Sequence, residues 1–419
     1  MKGRILRLGK IASLVLGSNT LLSALSVAIN IFLVRKFSIE TYAIYTLVSS
    51  FLITVGSLAD LNVSSALVTL GARVRGNLSE LSSLLGAALF LRRVLLIIVG
   101  LVFAPLLFLL LNIFSLSTDA KVSLVVLTLA NIFIQQVFTL QIAWLNATRH
   151  FGLIAAANIV LGLSRAALTV AVCLLLLPDA RGVLLASLVA TGFAIGGVGW
   201  ASKGAIAARG KTEFSAVRQI CAFVGPLIPY AVYINIKNQI FVFLLALVGA
   251  KFSVAEYGAL TKFGLIFALL SSLTGSPLQS YAASLNTREG YTRLLLLVGA
   301  AVVAFSVIIE SSFILGSKYW LAILGPAYAH LDFELVVVMA GSATFFLGSV
   351  LNSFLLARKI TVGQGYLVPA SMFALVVAWE LFGLNNVRSA ALVGGADALA
   401  YFFVQLALLP RAVASFKQR

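Results

Sequence analysis

The chain has 419 residues, of which 61% are apolar and only 10% are charged. A soluble domain carries about 25% charged residues, so this composition excludes a soluble globular protein and indicates a chain that crosses a membrane many times. The net charge is +17. We expect this charge to contact membrane lipids with anionic heads and not nucleic acid.

Apolar stretches long enough to cross a bilayer recur from one end of the sequence to the other. A bilayer core of roughly 30 Å takes about 20 helical residues to cross. The stretches are continuously apolar, whereas the strands of a membrane barrel alternate, so they predict an all-α polytopic membrane protein. The twelve predicted spans cover residues 11–34, 41–70, 84–112, 121–145, 152–178, 182–201, 219–249, 255–283, 293–316, 334–357, 361–383 and 389–410.

Lys and Arg are distributed unevenly between the two sets of loops that these spans define. The richer set begins with the residues before the first span, where Lys2, Arg4, Arg7 and Lys10 lie. Because cytoplasmic loops carry an excess of Lys and Arg, this bias places both termini in the cytoplasm of a multi-pass protein.

Two weak internal repeats divide the sequence into halves. Residues 35–43, RKFSIETYA, return at 250–258 as AKFSVAEYG, and Ala147-Thr-Arg149 is echoed by Ala357-Arg-Lys359. This register aligns the first six spans with the last six. It predicts two parallel six-helix lobes, residues 1–205 and 206–419, around a central cavity, joined by an inner loop at 202–218.

Several short motifs resemble the polysaccharide-synthesis branch of the multidrug/oligosaccharidyl-lipid/polysaccharide exporter superfamily. They are Asn30-Ile-Phe-Leu-Val-Arg35, the Lys-Phe-Ser-x-x-x-Tyr element, Leu58-Ala-Asp-Leu-Asn62, Leu70-Gly-Ala-Arg73 and Ile323-Leu-Gly-Pro-Ala-Tyr328. The resemblance implies a flippase of the bacterial inner membrane. Its cargo would be an undecaprenyl-diphosphate-linked oligosaccharide, such as an O-antigen unit, with other polysaccharide assembly proteins as partners. It also implies that the first, second, seventh and eighth helices bend.

Basic residues within the spans are the strongest functional signal of the sequence. Arg165 and Lys237 lie near the middles of their spans, where a charge costs roughly 2.5–3.5 kcal/mol to insert. Two phosphates carry negative charge that such cations would stabilise, so we predict a substrate-binding set of Arg165, Lys237, Arg92 and Lys262. The alternatives are ion pairs within the bundle for Arg165 and Lys237, and side chains of Arg92 and Lys262 that extend to the interface.

Acidic residues within the spans are candidates for coupling transport to H⁺ or Na⁺. Asp397 is the first candidate and Glu310 the second, because burial favours the protonated form of a carboxylate. Helix breaks are expected at Gly225-Pro-Leu-Ile-Pro229 and at Gly275-Ser-Pro277, as gates or as static kinks. A polar stripe of Asn131, Gln135 and Thr139 is expected to join helices rather than to bind sugar.

The sequence leaves two other functions open. A drug/cation antiporter of the same superfamily would need an acidic cavity, and a polytopic glycan polymerase or ligase would need a larger outer loop than residues 317–333. We find no nucleotide-binding motif and no metal-ligand spacing around His150 or His330, so no cofactor and no metal are expected. Cys173 and Cys221 both lie in predicted spans, which gives no support to a disulfide.

Overall fold

The computed structural model describes residues 2–74, 77–148, 150–201, 213–237, 239–248, 250–285, 287–358, 360 and 362–415. All regular secondary structure in these residues is helical. The helices are α1 (Lys2–Lys36), α2 (Ile39–Asp60), α3 (Val63–Arg73), α4 (Leu78–Leu110), α5 (Thr118–Thr148), α6 (Phe151–Leu175), α7 (Ala180–Ala201), α8 (Phe214–Val224), α9 (Ile228–Lys237), α10 (Ile240–Leu247), α11 (Lys251–Leu260), α12 (Leu265–Ser284), α13 (Arg288–Leu315), α14 (Ser317–Leu324), α15 (Asp332–Ala357), α16 (Val362–Phe382) and α17 (Val387–Ala414).

The helices follow the predicted spans closely. Nine helices in the described residues are long and apolar enough to cross a membrane, and the bent pair α11–α12 raises this number to ten. The predicted span 41–70 corresponds to α2 and α3 together, and the predicted span 219–249 is divided among α8, α9 and α10. The all-α polytopic fold class is confirmed.

The chain divides by packing into two compact units, Met1–Phe243 and Leu244–Arg419. The predicted lobes, 1–205 and 206–419, stay a prediction, and residues 202–212 of the predicted connecting loop lie outside the described residues. In the first unit, α6 packs between α1 and α7, while α5 packs against α7 and α3. Helices α8 and α9 also belong to this unit, where they pack on α4 and α2.

In the second unit, α17 packs along α15 and α16, and α12 also packs on α15. Small residues allow the close approach of α15 to α17, as they do in many membrane bundles. A Cβ atom on Gly341 would lie 3.5 Å from the Cα atom of Gly395. A Cβ atom on Gly348 would lie 2.5 Å from the Tyr401 ring.

One of the two predicted helix breaks is present and the other is displaced. A 3₁₀ turn at Gly225–Leu227 separates α8 from α9, as the Gly-Pro sequence predicts. The break expected at Gly275–Pro277 is wrong, because α12 continues through these residues. The bend lies instead between α11 and α12, whose axes differ by 43°.

Candidate functional site

The candidate site forms where α2 ends and α3 begins. Leu61 and Asn62 have φ angles of 38° and 66°, a left-handed conformation that L-residues with a side chain rarely adopt. This turn brings Asp60 to the start of α3. The Asp60 carboxylate accepts hydrogen bonds from the Ser64 backbone N–H at 3.1 Å and the Ser64 hydroxyl at 2.9 Å. Asp60 therefore caps α3 and stabilises the turn.

Arg92 reaches this carboxylate from α4. Its Nε donates to Asp60 Oδ1 at 2.8 Å, and its Nη2 forms an ion pair with the same oxygen and donates to the Ser64 hydroxyl. Its Nη1 donates to the Gln136 carbonyl at 2.7 Å and to Thr139 Oγ1 at 3.0 Å. The alternative in which the Arg92 side chain extends to the interface is wrong, since the residue is only 4% exposed and ties four helices together, and its binding of substrate stays a prediction.

The partners of Arg92 form part of the wall of a pocket of about 650 Å³ within the first unit. This volume lies in the range of about 300–1,000 Å³ that is typical of small-molecule sites. The pocket is lined by Asp60, Ser64, Ser65, Val68, Thr69, Phe138, Thr139, Ile142, Ala143, Asn146 and Asn158. Its polar groups are thus mainly hydroxyls and amides, contributed by α2, α3, α5 and α6.

The electrostatics of the pocket are close to neutral. Among the residues that line it, only Asp60 carries a formal charge. The ion pair with Arg92 compensates that charge, and Ser64 adds two further hydrogen bonds to the same oxygen. The lining of the pocket therefore presents hydrogen-bond donors and acceptors and carries no net charge.

Arg165 and Lys237 lie on two other helices of the first unit. Arg165 is half-buried near the middle of α6, seven residues after Asn158 and hence on nearly the same helix face, about 10 Å along the axis. Within the described part of the chain, Arg165 forms no ion pair with a carboxylate. Lys237 is 6% exposed at the end of α9, with its Nζ 6.0 Å from the centre of the Tyr233 ring.

The other three predicted site residues belong to the second unit. Lys262 is half-buried in the bend between α11 and α12. Asp397 on α17 is 5% exposed and accepts a hydrogen bond from the Ser371 hydroxyl of α16. Glu310 on α13 differs from Asp397, because both of its carboxylate oxygens are buried without a hydrogen-bond partner among the described residues. The Ser306 hydroxyl, one turn earlier on α13, is buried without a partner there too.

The polar stripe expected on α5 joins helices at two of its three positions. Asn131 donates to the Leu184 carbonyl of α7 at 3.0 Å, and Thr139 accepts from Arg92. Gln135 is exposed, whereas its neighbour Gln136 donates to the Gly56 carbonyl of α2 at 2.6 Å.

Sequence reasoning singled out Thr139, in the polar stripe, and Asp60, within a motif, but missed the other residues that line the pocket. A signal was present inside the apolar spans, since Asp60 and Ser64, and likewise Ser65 and Thr69, are four residues apart, and Thr139 and Asn146 are seven apart. Recognising it would have required knowledge that α3, α5 and α6 are neighbours.

Comparison with solved structures shows which fold the chain shares. A multidrug resistance MATE family transporter of the MOP superfamily, in an inward-facing conformation, has a TM-score of 0.76 at 12% sequence identity, and the match covers 95% of this chain and 96% of that one. The lipid II flippase MurJ, in an inward closed conformation, has a TM-score of 0.74 at 14% identity, covering 96% of this chain and 89% of that one. The MATE transporter VcmN from Vibrio cholerae, in its bent form, has a TM-score of 0.61 at 14% identity, covering 98% of both chains.

No protein-family model matches the sequence, and no curated protein matches it. The structural likeness therefore shows the fold, which the chain shares with MATE transporters and with the lipid II flippase MurJ.

Proposed function

We propose that the protein is a flippase that moves an undecaprenyl-diphosphate-linked oligosaccharide, such as an O-antigen unit, across the bacterial inner membrane by alternating access. It is a transporter and not an enzyme in this proposal. The observation that carries it is the Arg165 guanidinium, half-buried near the middle of a membrane span and without an ion-pair partner in the described residues. A cation there is costly unless it meets an anion, and the diphosphate of the cargo is such an anion.

The position of Arg165 beside the pocket supports this assignment. Asn158 lines the pocket, and Arg165 follows it by two turns of α6. A lipid-linked sugar diphosphate has a neutral polyhydroxyl part joined directly to two phosphates. The neutral pocket would face the polyhydroxyl part, and the Arg165 cation, about 10 Å further along α6, would face the phosphates.

Lys237 supplies a second cation in the same unit, at the end of α9. Its helix follows the 3₁₀ turn at Gly225–Leu227, so a change of backbone conformation at this turn would move the ammonium group. At an effective dielectric constant near 20, one contact between unit charges at 4 Å is worth about 4 kcal/mol before desolvation. Two such contacts would hold a diphosphate without trapping it.

The alternative is a drug/cation antiporter, which is favoured by the likeness to MATE transporters. Such a cargo calls for an uncompensated carboxylate in the binding pocket. In the pocket of the first unit, the single carboxylate is paired with Arg92. The charge of this site therefore favours the anionic lipid-linked cargo.

The test is the export of glycan by charge variants in cells. Arg165→Ala and Lys237→Ala are expected to abolish export at a normal protein level, and undecaprenyl-linked glycan should then accumulate facing the cytoplasm. Arg93→Ala is the matched control, because Arg93 is exposed on α4 next to the buried Arg92. Full export by both Arg165→Ala and Lys237→Ala would contradict the proposal.

Coupling to H⁺ or Na⁺ is a separate part of the proposal and belongs to the second unit. Asp397 and the carboxylate oxygens of Glu310 are buried in helices that are able to cross the membrane. A buried carboxylate binds a proton or a cation when its charge is not otherwise compensated. The sequence ranked Asp397 first, but we now assign this role to Glu310 ahead of Asp397. Asp397 accepts a hydrogen bond from Ser371, whereas neither carboxylate oxygen of Glu310 has a partner among the described residues.

A further inference from the structure

We propose that the pocket formed by α2, α3, α5 and α6 is a binding site for the neutral sugar portion of the cargo, separate from the cations that bind its phosphates. This inference rests on the proposed flippase function and adds a second subsite to it. The site is the 650 Å³ pocket of the first unit.

The first argument is the kind of polar group in the wall. Ser65 and Thr69 contribute hydroxyls and Asn146 contributes an amide, whereas the hydroxyls of Ser64 and Thr139 are already bonded to Asp60, Arg92 and Gln136. A hydroxyl both donates and accepts, and an amide offers two donors and an acceptor. Sugar hydroxyls also both donate and accept, so this wall matches a polyol without requiring either partner to be charged.

The second argument is the apolar part of the wall. Phe138, Ile142, Val68 and Ala143 line the same pocket between the polar groups. Pyranose rings have apolar C–H faces beside their hydroxyls, so a wall with both characters suits them. An inorganic anion or a small hydrated cation has no apolar face that could use these side chains.

The third argument is the rigid neutralisation of Asp60. Its carboxylate is fixed by Arg92 and by two hydrogen bonds from Ser64, at a turn with two left-handed residues. Arg92 in turn fixes Thr139 on α5. Arg92 is thus a positioning residue that sets the orientation of the wall, and its charge is used within the protein rather than for phosphate.

The experiment measures binding of sugars that carry no lipid and no phosphate. The probes are the methyl glycosides of glucose, galactose and N-acetylglucosamine, titrated by ligand-observed NMR against the purified full chain in nanodiscs. Inorganic pyrophosphate and tetraphenylphosphonium form the anionic and cationic arms. We expect at least one glycoside to bind at millimolar concentration, and tetraphenylphosphonium not to compete with it.

Two pocket variants of different kinds test where the sugar binds. Thr69→Trp fills the pocket from an exposed position on α3, and Asn146→Ala removes one amide. Each is expected to weaken glycoside binding about tenfold or more, as the loss of space or of one or two hydrogen bonds would. Ala167→Trp, at an exposed position of α6 outside the pocket lining, is the control and should bind normally.

The outcomes separate this inference from the proposed function. The absence of glycoside binding, equal binding by all three variants, or displacement of the glycoside by tetraphenylphosphonium would overturn the sugar site. None of these results depends on Arg165 or Lys237, whose variants test the flippase through export. Loss of glycoside binding in Thr69→Trp and Asn146→Ala, with normal binding in Ala167→Trp, would support the sugar site whichever ion drives transport.

Discussion

The two units differ in how the carboxylates of their apolar helices are compensated. In the first unit, Asp60 is neutralised by the Arg92 guanidinium and accepts two hydrogen bonds from Ser64. In the second, Asp397 has the Ser371 hydroxyl as a donor, and Glu310 has no hydrogen-bond partner within the described residues. A compensated carboxylate stays ionised and fixes structure, whereas an uncompensated one is ready to bind a proton or a cation. The Asp60–Arg92 pair of the first unit is therefore structural, and the carboxylate of the second unit that has no partner among the described residues, Glu310, is the one that we propose for ion coupling.

The largest expected effect comes from separating the ion pair of the first unit. Arg92→Ala leaves the Asp60 carboxylate, which is 26% exposed, without its cation and removes the bonds to Gln136 and Thr139. Removing one partner of a fully buried pair costs about 3–5 kcal/mol and less where one partner meets solvent, so thermal unfolding of the purified protein should shift to a clearly lower temperature.

Two further variants make this prediction specific. Arg93→Ala, at the adjacent exposed position, should unfold like the unmodified protein. Adding Asp60→Asn to Arg92→Ala should recover part of the loss, because the unpaired charge is then gone. Equal effects of Arg92→Ala and Arg93→Ala would show that the pair does not stabilise the first unit.

In the second unit, removal of the Glu310 carboxylate is expected to raise the unfolding temperature rather than to lower it. Glu310→Met replaces a buried group that has no hydrogen-bond partner in the described residues with an apolar one of similar length. An unsatisfied buried group costs about 1–3 kcal/mol, so this variant should unfold at a higher temperature. If Glu310 couples transport to an ion, the same variant should lose the dependence of transport on the ion gradient.

The matched control for Glu310 is Glu380→Met on α16. Glu380 is exposed, so its replacement should change neither the unfolding temperature nor the ion dependence by a comparable amount. A lower unfolding temperature for Glu310→Met would mean that its carboxylate has a stabilising partner, and the contrast between the units would fail.

Much of the fold could be predicted because a membrane span is a local property of the sequence. A run of about 20 apolar residues must become a helix in lipid, whatever its neighbours are. Proline is a weaker signal. Pro105, Pro369 and Pro410 all lie inside continuous helices, so the break predicted at Gly275–Pro277 rested on a residue type that this fold tolerates.

The candidate site could be predicted only in part, because it depends on contacts between distant segments. The charge of Arg92 inside a span is visible in the sequence, but its pairing with Asp60 requires α4 to pack on α2, across 32 positions. The left-handed turn at Leu61 and Asn62 could not be predicted from the sequence, because such turns are usually marked by glycine and neither residue is Gly. The pocket is assembled by this turn together with α5 and α6, so its residues become apparent only in three dimensions.

The smallest expected effect concerns the hydrogen bond to Asp397. Ser371→Ala removes the hydroxyl that donates to this carboxylate, but Asp397 keeps further interactions, and Tyr257 of α11 lies close enough to interact with its charge. We therefore expect a loss of about 1 kcal/mol, the usual net value of one hydrogen bond, measured as a small decrease in unfolding temperature. Thr344→Ala is the control, because that residue is half-buried and, among the described residues, its hydroxyl donates to the Ala340 carbonyl of its own helix and to no carboxylate. A Ser371→Ala effect as large as that of Arg92→Ala would mean that Asp397 is held as firmly as Asp60. Ion coupling in the second unit would then rest on Glu310 alone.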